Sequence, residues 1–357
     1  MIKSYTLIIP NSDSRSPNKV ALNIYSSIIK QGIVGDILYT NKYIEAIDKR
    51  KKQPVHKFKL KNLYSVRISG SIVHSHGFFP DLISSIIKIS DFKNKNKYVT
   101  TVHSLLKDDL LESKGSVGMI YFYIWKILLR SKDAVVVLNS HAKEFLVNEL
   151  GEKFRKKIEV IPNGIDLIPA TMEPDSFTSK INAQKKRGKT IVCTVSVIRE
   201  MKGLHHVIRA LSQDKNIYYV IVGDGPYLSK LQEDVARFKV QDQVLFVGYS
   251  DCALKYLSMA DVFVLASSFE GFPMSLLEAV SLKVPCVVND IPLFHEYFPL
   301  DMIEYCDVKS PISLASAIKK SANRNVDNIY NYARLNYSED AIANRYLQLF
   351  SKLSNKV

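Results

Sequence analysis

Short apolar runs rich in β-branched residues alternate with helix-spaced stretches along most of this 357-residue chain, and that alternation restricts the fold more than any other feature. The runs at 71–76, 98–103, 134–138, 190–197, 218–222, 244–247, 261–266 and 284–288 read as buried strands. Helical patterns follow most of them, which implies right-handed βαβ units and parallel sheets in an α/β protein. With 46% hydrophobic and 24% charged residues the chain is globular rather than disordered, and its length suits two domains.

The sharpest local signal is Ala266-Ser-Ser-Phe-Glu270-Gly-Phe-Pro-Met-Ser-Leu-Leu-Glu278-Ala-Val-Ser-Leu282. A strand runs into a turn broken by Gly271 and Pro273, and helical spacing begins at Met274. In parallel α/β sheets such a turn lies at the carboxyl end of a strand, where ligands bind and the N–H groups of the new helix face them. Glu270 hangs on the turn, and Glu278 lies roughly 5–8 Å further on at about 1.5 Å per residue. Carboxylates touching a phosphate would repel it, so the two are read as acceptors for hydroxyls on either side of one, such as those of a sugar and a ribose. On spacing alone, an ordinary helix with Glu270 as a favourable first-turn charge and Glu278 facing solvent explains the pair equally well.

The net charge of +14 is uneven: residues 1–165 hold 27 Lys+Arg against 14 Asp+Glu, and residues 166–357 hold 22 against 21. A basic first half is attracted to anionic membranes, lipid-linked phosphates or nucleic acid, although a merely solvated Lys-rich surface gives the same count. No helix-turn-helix, zinc-finger or RNA-recognition pattern accompanies it, so nucleic acid is not the expected partner. Cys193, Cys252, Cys286 and Cys306 stand apart with no C-x-x-C pair, which suggests neither a zinc site nor a disulfide framework and points to a reducing cytoplasm. Residues 1–10 read as a first strand rather than a signal peptide, and no apolar run reaches the roughly 18–20 residues of a membrane-spanning helix.

In the first half, Ser16 is expected to cap a helix with Pro17 in its first position, with Arg15 and Lys19 close by. Two strands end on His76 and His103, which places both imidazoles at one sheet edge, suited to sugar hydroxyls, to phosphate or simply to local backbone. His103 is preferred as the functional one because Ser104 and the polar loop Lys107-Asp-Asp109 follow it; the Asp pair alone is weak evidence for a metal. Residues 117–129 are apolar nearly all round, include the only Trp, Trp125, and have Lys114, Lys126, Arg130 and Lys132 at or near their ends. That composition suits a membrane interface and buried packing alike. A first domain is expected over 1–166, a polar linker over 167–189 and a second domain over 190–340, with the last helix, about 341–357, packing back on the first. Lys202-Gly203 places an ammonium and a permissive backbone at a strand end, where phosphate is the natural partner. Gly223-Asp-Gly225 is only a fragment of a dinucleotide fingerprint.

Taken together, Lys202-Gly203, Val222-Gly-Asp-Gly-Pro226, Phe246-Val-Gly-Tyr249, Ala260-Asp261 and Glu270-Gly-Phe-Pro-x4-Glu278-Ala279, with Pro285 downstream, resemble the retaining family 4 glycosyltransferases in order and spacing. His76-Gly77, Thr101-x-His103 and Val160-Ile-Pro-Asn-Gly-Ile-Asp166 extend a weaker likeness through the first half. The resemblance implies a GT-B fold, two Rossmann-like domains with parallel sheets facing an interdomain cleft, and a transferase of the bacterial surface-polysaccharide type. It implies Glu270 on hydroxyls of the donor sugar and the backbone of Gly271, Phe272, Pro273, Met274 and Ser275 against sugar and diphosphate. Glu278 would hold the ribose, Lys202 with Gly203 and Arg199 the diphosphate, and Gly248 and Tyr249 the nucleobase. His103 would reach the transferred sugar, so the catalytic set is Glu270, His103 and Lys202, with Ser16, Asn18, Lys19 and His76 on the acceptor side.

The implied partners are a nucleotide sugar, a saccharide acceptor carried on a lipid, and a membrane surface met by the basic domain at the inner face of the plasma membrane. No cofactor and no metal are expected. The competing readings are a soluble enzyme with a small acceptor and a non-catalytic module that binds sugar nucleotides. Three positions depart from the family pattern: Val197 replaces an Arg five residues before the Lys, the stretch from Ser12 to Lys19 replaces a glycine-rich loop, and Ile291-Pro292 replaces a Gly-Gly.

Overall fold

The computed structural model describes residues 2, 4–10, 16–40, 55–57, 72–91, 96–103, 115–166 and 173–355. Its strands are β1 (Ser4–Ile9), β2 (Val34–Tyr39), β3 (Val55–Lys57), β4 (Ile72–His76), β5 (Lys97–Val102), β6 (Ala134–Val137), β7 (Ile158–Val160), β8 (Thr190–Val195), β9 (Ile217–Val222), β10 (Val244–Gly248), β11 (Val262–Leu265), β12 (Cys286–Asn289) and β13 (Glu304–Cys306). The helices are α1 (Ser16–Ile29), α2 (Phe78–Ser90), α3 (Val117–Arg130), α4 (Ser140–Leu150), α5 (Ser176–Lys186), α6 (Leu204–Leu211), α7 (Leu228–Phe238), α8 (Ala253–Leu257), α9 (Met274–Ser281), α10 (Pro292–His295), α11 (Pro311–Ser321), α12 (Asp327–Tyr337) and α13 (Glu339–Ser354). They form two compact units, Met1–Gly164 with Tyr337–Val357, and Ile165–Asn336.

Each unit is a parallel sheet with helices, in the order β3-β2-β1-β4-β5-β6-β7 in the first and β10-β9-β8-β11-β12-β13 in the second. In both, the chain works outward from a middle strand and then returns to continue on the other side. The order therefore reverses between β1 and β4 and again between β8 and β11, and such reversals leave a crevice at the carboxyl ends of the two strands.

The first unit is closed by α13, whose Ile342, Tyr346 and Phe350 are buried. The Phe350 ring lies 5.6 Å from that of Tyr5, and the Tyr346 ring 5.2 Å from that of His74. α4 is capped by the Asn139 side chain, which accepts from Ala142 N at 2.7 Å. α1 begins at Ser16 itself, so Pro17 is its second residue.

α3 is apolar on two opposite faces for different reasons. Phe122, Trp125, Leu128 and Leu129 are buried against β5, β6 and α4, whereas Val117, Ile120, Tyr123, Ile124 and Ile127 are exposed. Trp125 is therefore an inward anchor, donating from Nε1 to Asp81 Oδ2 at 2.6 Å. Lys132, expected at the basic end of this helix, is fully buried instead: its ammonium bonds Asp81 O at 2.9 Å, Ser85 Oγ at 3.0 Å and Ser84 Oγ, with the Asp81 carboxylate 3.9 Å away. A charge removed from water survives only when its hydrogen-bonding capacity is met in this way. Burial still pushes the Lys132 ammonium down to about 8, against the opposing pull of Asp81.

The expected linker is corrected in part. Residues 167–172 lie outside the described residues, but α5 is a packed helix of the second unit, with Thr178 and Ile181 buried and a capping box between Asp175 and Thr178. Asp175 also accepts from Tyr256 OH at 2.6 Å and from the Lys255 ammonium, which binds the start of α5 to α8. Polar composition concealed this helix because few of its residues face the core. The positions Arg15, Lys107-Asp-Asp109 and Lys114 lie outside the described residues, as does the side chain of Ser16.

Candidate functional site

In the second unit, four strand-end loops lock together at the carboxyl edge of the sheet. Gly203, between a 3-10 turn and α6, has φ +68°, and a Cβ there would lie 2.2 Å from Ala266 O. A Cβ on Gly223 would lie 1.9 Å from Ser196 O. Only glycine permits such close backbone approach in the left-handed region. Ile198 N donates to Asp224 O at 2.9 Å, Gly223 N to Gly248 O at 2.8 Å, and Ser268 N to Met201 O at 2.9 Å. The loops after β8, β9, β10 and β11 are thus one connected rim.

On that rim, at the β8/β11 reversal, Lys202 and Glu270 meet. Lys202 Nζ donates to Glu270 Oε1 at 2.7 Å, and Ser267 Oγ donates to the same oxygen at 2.8 Å. Both side chains are largely shielded from water. This contact uses one of three ammonium protons and one of two carboxylate oxygens, so two N–H groups and Oε2 keep their capacity among the described residues. The turn beyond is held from behind: Phe272 is buried edge-on to Tyr297 with ring centroids 5.1 Å apart, and Tyr297 OH donates to Gly271 O at 3.1 Å. Asn289 Nδ2 donates to Ser267 O at 3.1 Å. α9 then starts at Met274, includes Ser275 in its first turn after Pro273, and carries the part-buried Glu278 as its fifth residue.

Sequence reasoning did not single out Ser267, Asn289 or Tyr297. Ser267 lies inside the motif stretch and was within reach; Tyr297 has no local signal, because its role depends on where α10 returns the chain.

Arg199 precedes the turn that carries Lys202, and the exposed Val197 occupies the position where the family has Arg. Gly248, at φ +81° with open space where a side chain would sit, ends the edge strand β10. Tyr249 is 74% exposed and donates to Asp251 Oδ1 at 2.6 Å, so it stands on the outer margin of the rim rather than inside a formed pocket.

In the first unit, β4 and β5 bring His76 and His103 together: His76 Nδ1 lies 2.8 Å from His103 Nε2, with the rings stacked 5.1 Å apart. Burial lowers His103 to about 4 and His74 to about 3. His76 falls well below the ordinary value, chiefly through burial and then through His74 and His103. All three rings are uncharged at neutral pH. Of the residues expected on the acceptor side, Asn18 and His76 are both buried. The residue types tolerate exposure, but Asn18 falls on the core-facing side of α1 and His76 beneath His103. Lys19, on α1, is exposed. Among the described residues no group of His, Cys, Asp and Glu forms a metal-binding cluster.

A family profile described as Glycosyl transferases group 1 matches residues 175–335, and one described as Glycosyltransferase Family 4 matches residues 49–168. The chain is 26% identical over 298 residues to the O-antigen biosynthesis glycosyltransferase WclY of Escherichia coli, covering 80% of each protein. It is 28% identical over 256 residues to a UDP-Gal:alpha-D-GlcNAc-diphosphoundecaprenol alpha-1,3-galactosyltransferase of Escherichia coli, covering 68% of this chain and 64% of that one. Its backbone resembles the crystal structure of Anabaena Alr3699/HepE in complex with UDP, with a TM-score of 0.78 at 16% identity over 98% of this chain and 100% of the other.

Proposed function

We propose, from the premise that this chain belongs to the family 4 glycosyltransferases of the GT-B type, that it moves a sugar from a nucleotide donor to a lipid-linked saccharide during assembly of a bacterial surface polysaccharide. The observation that carries the reading is the Lys202–Glu270 pair at the strand reversal. Its two remaining ammonium N–H groups suit a diphosphate, its open carboxylate oxygen suits a sugar hydroxyl, and each neutralises the other until a donor arrives. Gly271 to Ser275 bring the backbone of the turn and the first turn of α9 to the same rim, and Glu278 is the natural acceptor for ribose hydroxyls.

The reaction in this reading is metal-independent and retains the anomeric configuration. The acceptor oxygen bonds the anomeric carbon on the face from which the diphosphate leaves. The departing oxygen keeps the electrons of the broken bond and takes the acceptor's proton. Lys202 and the α9 N-terminus stabilise the charge that develops on the leaving group, and uncharged His103 hydrogen-bonds the transferred sugar. The activities of the two Escherichia coli relatives support an O-antigen or diphospholipid acceptor, and the UDP in the Anabaena structure supports a nucleotide donor.

A peripheral membrane site agrees with the charge of the first half and with the exposed apolar face of α3. No helix among the described residues is long and apolar enough to cross a membrane.

The test is transfer from a panel of UDP-, GDP- and other sugar nucleotides to saccharide-diphosphopolyprenol, followed by mass spectrometry with and without EDTA. Glu270→Gln should lower transfer on the order of a hundredfold with melting temperature unchanged. Undiminished turnover would remove Glu270 from the site, and activity confined to water-soluble acceptors would remove the lipid.

A further inference from the structure

Glu270 Oε1 accepts two hydrogen bonds from donors of different kinds. One comes from Lys202 Nζ at 2.7 Å and the other from Ser267 Oγ at 2.8 Å, while Oε2 has no partner among the described residues. The lysine ammonium ends a flexible four-carbon stem and keeps two N–H groups for an anion. The serine hydroxyl is uncharged, sits one carbon from the backbone, and belongs to a residue only 1% exposed.

The backbone around that serine is held on both sides. Ser267 O accepts from Asn289 Nδ2 at 3.1 Å, a bond that joins the chain just past β11 to the end of its neighbour β12. Ser268 N donates to Met201 O at 2.9 Å, in the same turn that carries Lys202.

The terminal torsion of a glutamate is broad, so a single contact leaves its carboxylate plane loose. Two donors converging on Oε1 fix that oxygen and with it the direction of Oε2. A diphosphate arriving at the rim competes with Glu270 for the Lys202 ammonium, because two anions then lie within reach of one cation. It does not compete in this way for a neutral, buried hydroxyl.

We infer that Ser267 is a positioning residue: held by Asn289, it keeps Glu270 Oε1 in place when the diphosphate draws on Lys202, so that Oε2 stays directed at a hydroxyl of the donor sugar. The inference rests on the reading above that Glu270 serves that sugar and Lys202 the diphosphate. It adds which residue orients the carboxylate and which oxygen acts.

Ser267→Ala removes a single oxygen and leaves both backbone bonds, so it tests the hydroxyl alone. Without any substrate, Ser267→Ala, Glu270→Ala and the double variant form a thermal-unfolding cycle. The double variant should lose at least about 2 °C less in melting temperature than the two single losses added together. With substrate, Ser267→Ala should lower kcat by about tenfold or more, while affinity for UDP or GDP, which carry no sugar, stays within about twofold. A serine that only supported the rim would weaken nucleoside diphosphate binding in parallel with transfer, and that result overturns the inference. Additive melting losses overturn it whether or not the protein transfers sugar, and so does an undiminished kcat in Ser267→Ala. If the unmodified protein transfers no sugar from any donor while the cycle is non-additive, the functional reading fails and the hold on Glu270 stands.

Discussion

Gly203 shows how a single residue couples fold to site. Its left-handed φ of +68° and the Ala266 carbonyl 2.2 Å from any added Cβ forbid a side chain, and Lys202 is its immediate neighbour. Gly203→Ala should cost about 2–3 kcal/mol of unfolding free energy through strain and displacement of the β11 loop. It should also weaken donor binding by moving Lys202. Urea titration and donor thermal shift measure both effects, and an unaltered protein would show that the rim does not need the close approach. At this scale the sequence was informative about residue types: Lys-Gly after a strand and Glu-x7-Glu across a turn were visible as they stand. It was silent on partners. Lys202 and Glu270 are 68 positions apart, and nothing local says that they bond.

Among the elements, α3 is the one whose reading changed most. Its sequence is apolar nearly all round, which leaves the buried and open faces indistinguishable by period alone. Asp81 and Lys132 make the choice, because their buried network takes Trp125 inward and turns Val117, Ile120, Ile124 and Ile127 outward. The triple substitution of Ile120, Ile124 and Ile127 by Ser should leave the melting temperature nearly unchanged, since those side chains are exposed. It should reduce retention on vesicles containing anionic lipid at least about fivefold at low salt. Equal retention of the variant and the unmodified protein would dissociate this face from the membrane. Most strand positions elsewhere followed from pattern, but the three-residue strands β3 and β13 did not stand out, and α5 was concealed because it buries little and so shows little apolar period.

For the whole molecule, the buried histidines make stability depend on pH. Folded values lie below the unfolded value of about 6.5, with His103 near 4 and His74 near 3. The unfolded chain therefore binds more protons between those limits. The stabilisation is fully present above about pH 6.5 and is lost as pH falls toward the folded values, at about 2–3 kcal/mol from His103 alone by pH 4.5. Urea midpoints at pH 7.5 and pH 4.5 should differ accordingly, and His74→Gln should flatten the dependence; a stability that is level over this range would contradict the buried neutral state. His206 in the second unit, lowered to about 4 by burial and by His205, acts in the same direction.

By itself the sequence determined the βα alternation, the division of charge between its halves, and the glycines, prolines and carboxylates of the donor motif. These follow from local periodicity and backbone restrictions, which a chain carries residue by residue. Only the tertiary structure decided that β8 lies beside β11 and β4 beside β1, that α13 closes the first sheet with Tyr346, and that His76 lies buried under His103. Those outcomes depend on which apolar surfaces meet across long stretches of chain, and on which buried polar groups must then find partners. No short stretch of sequence contains that information.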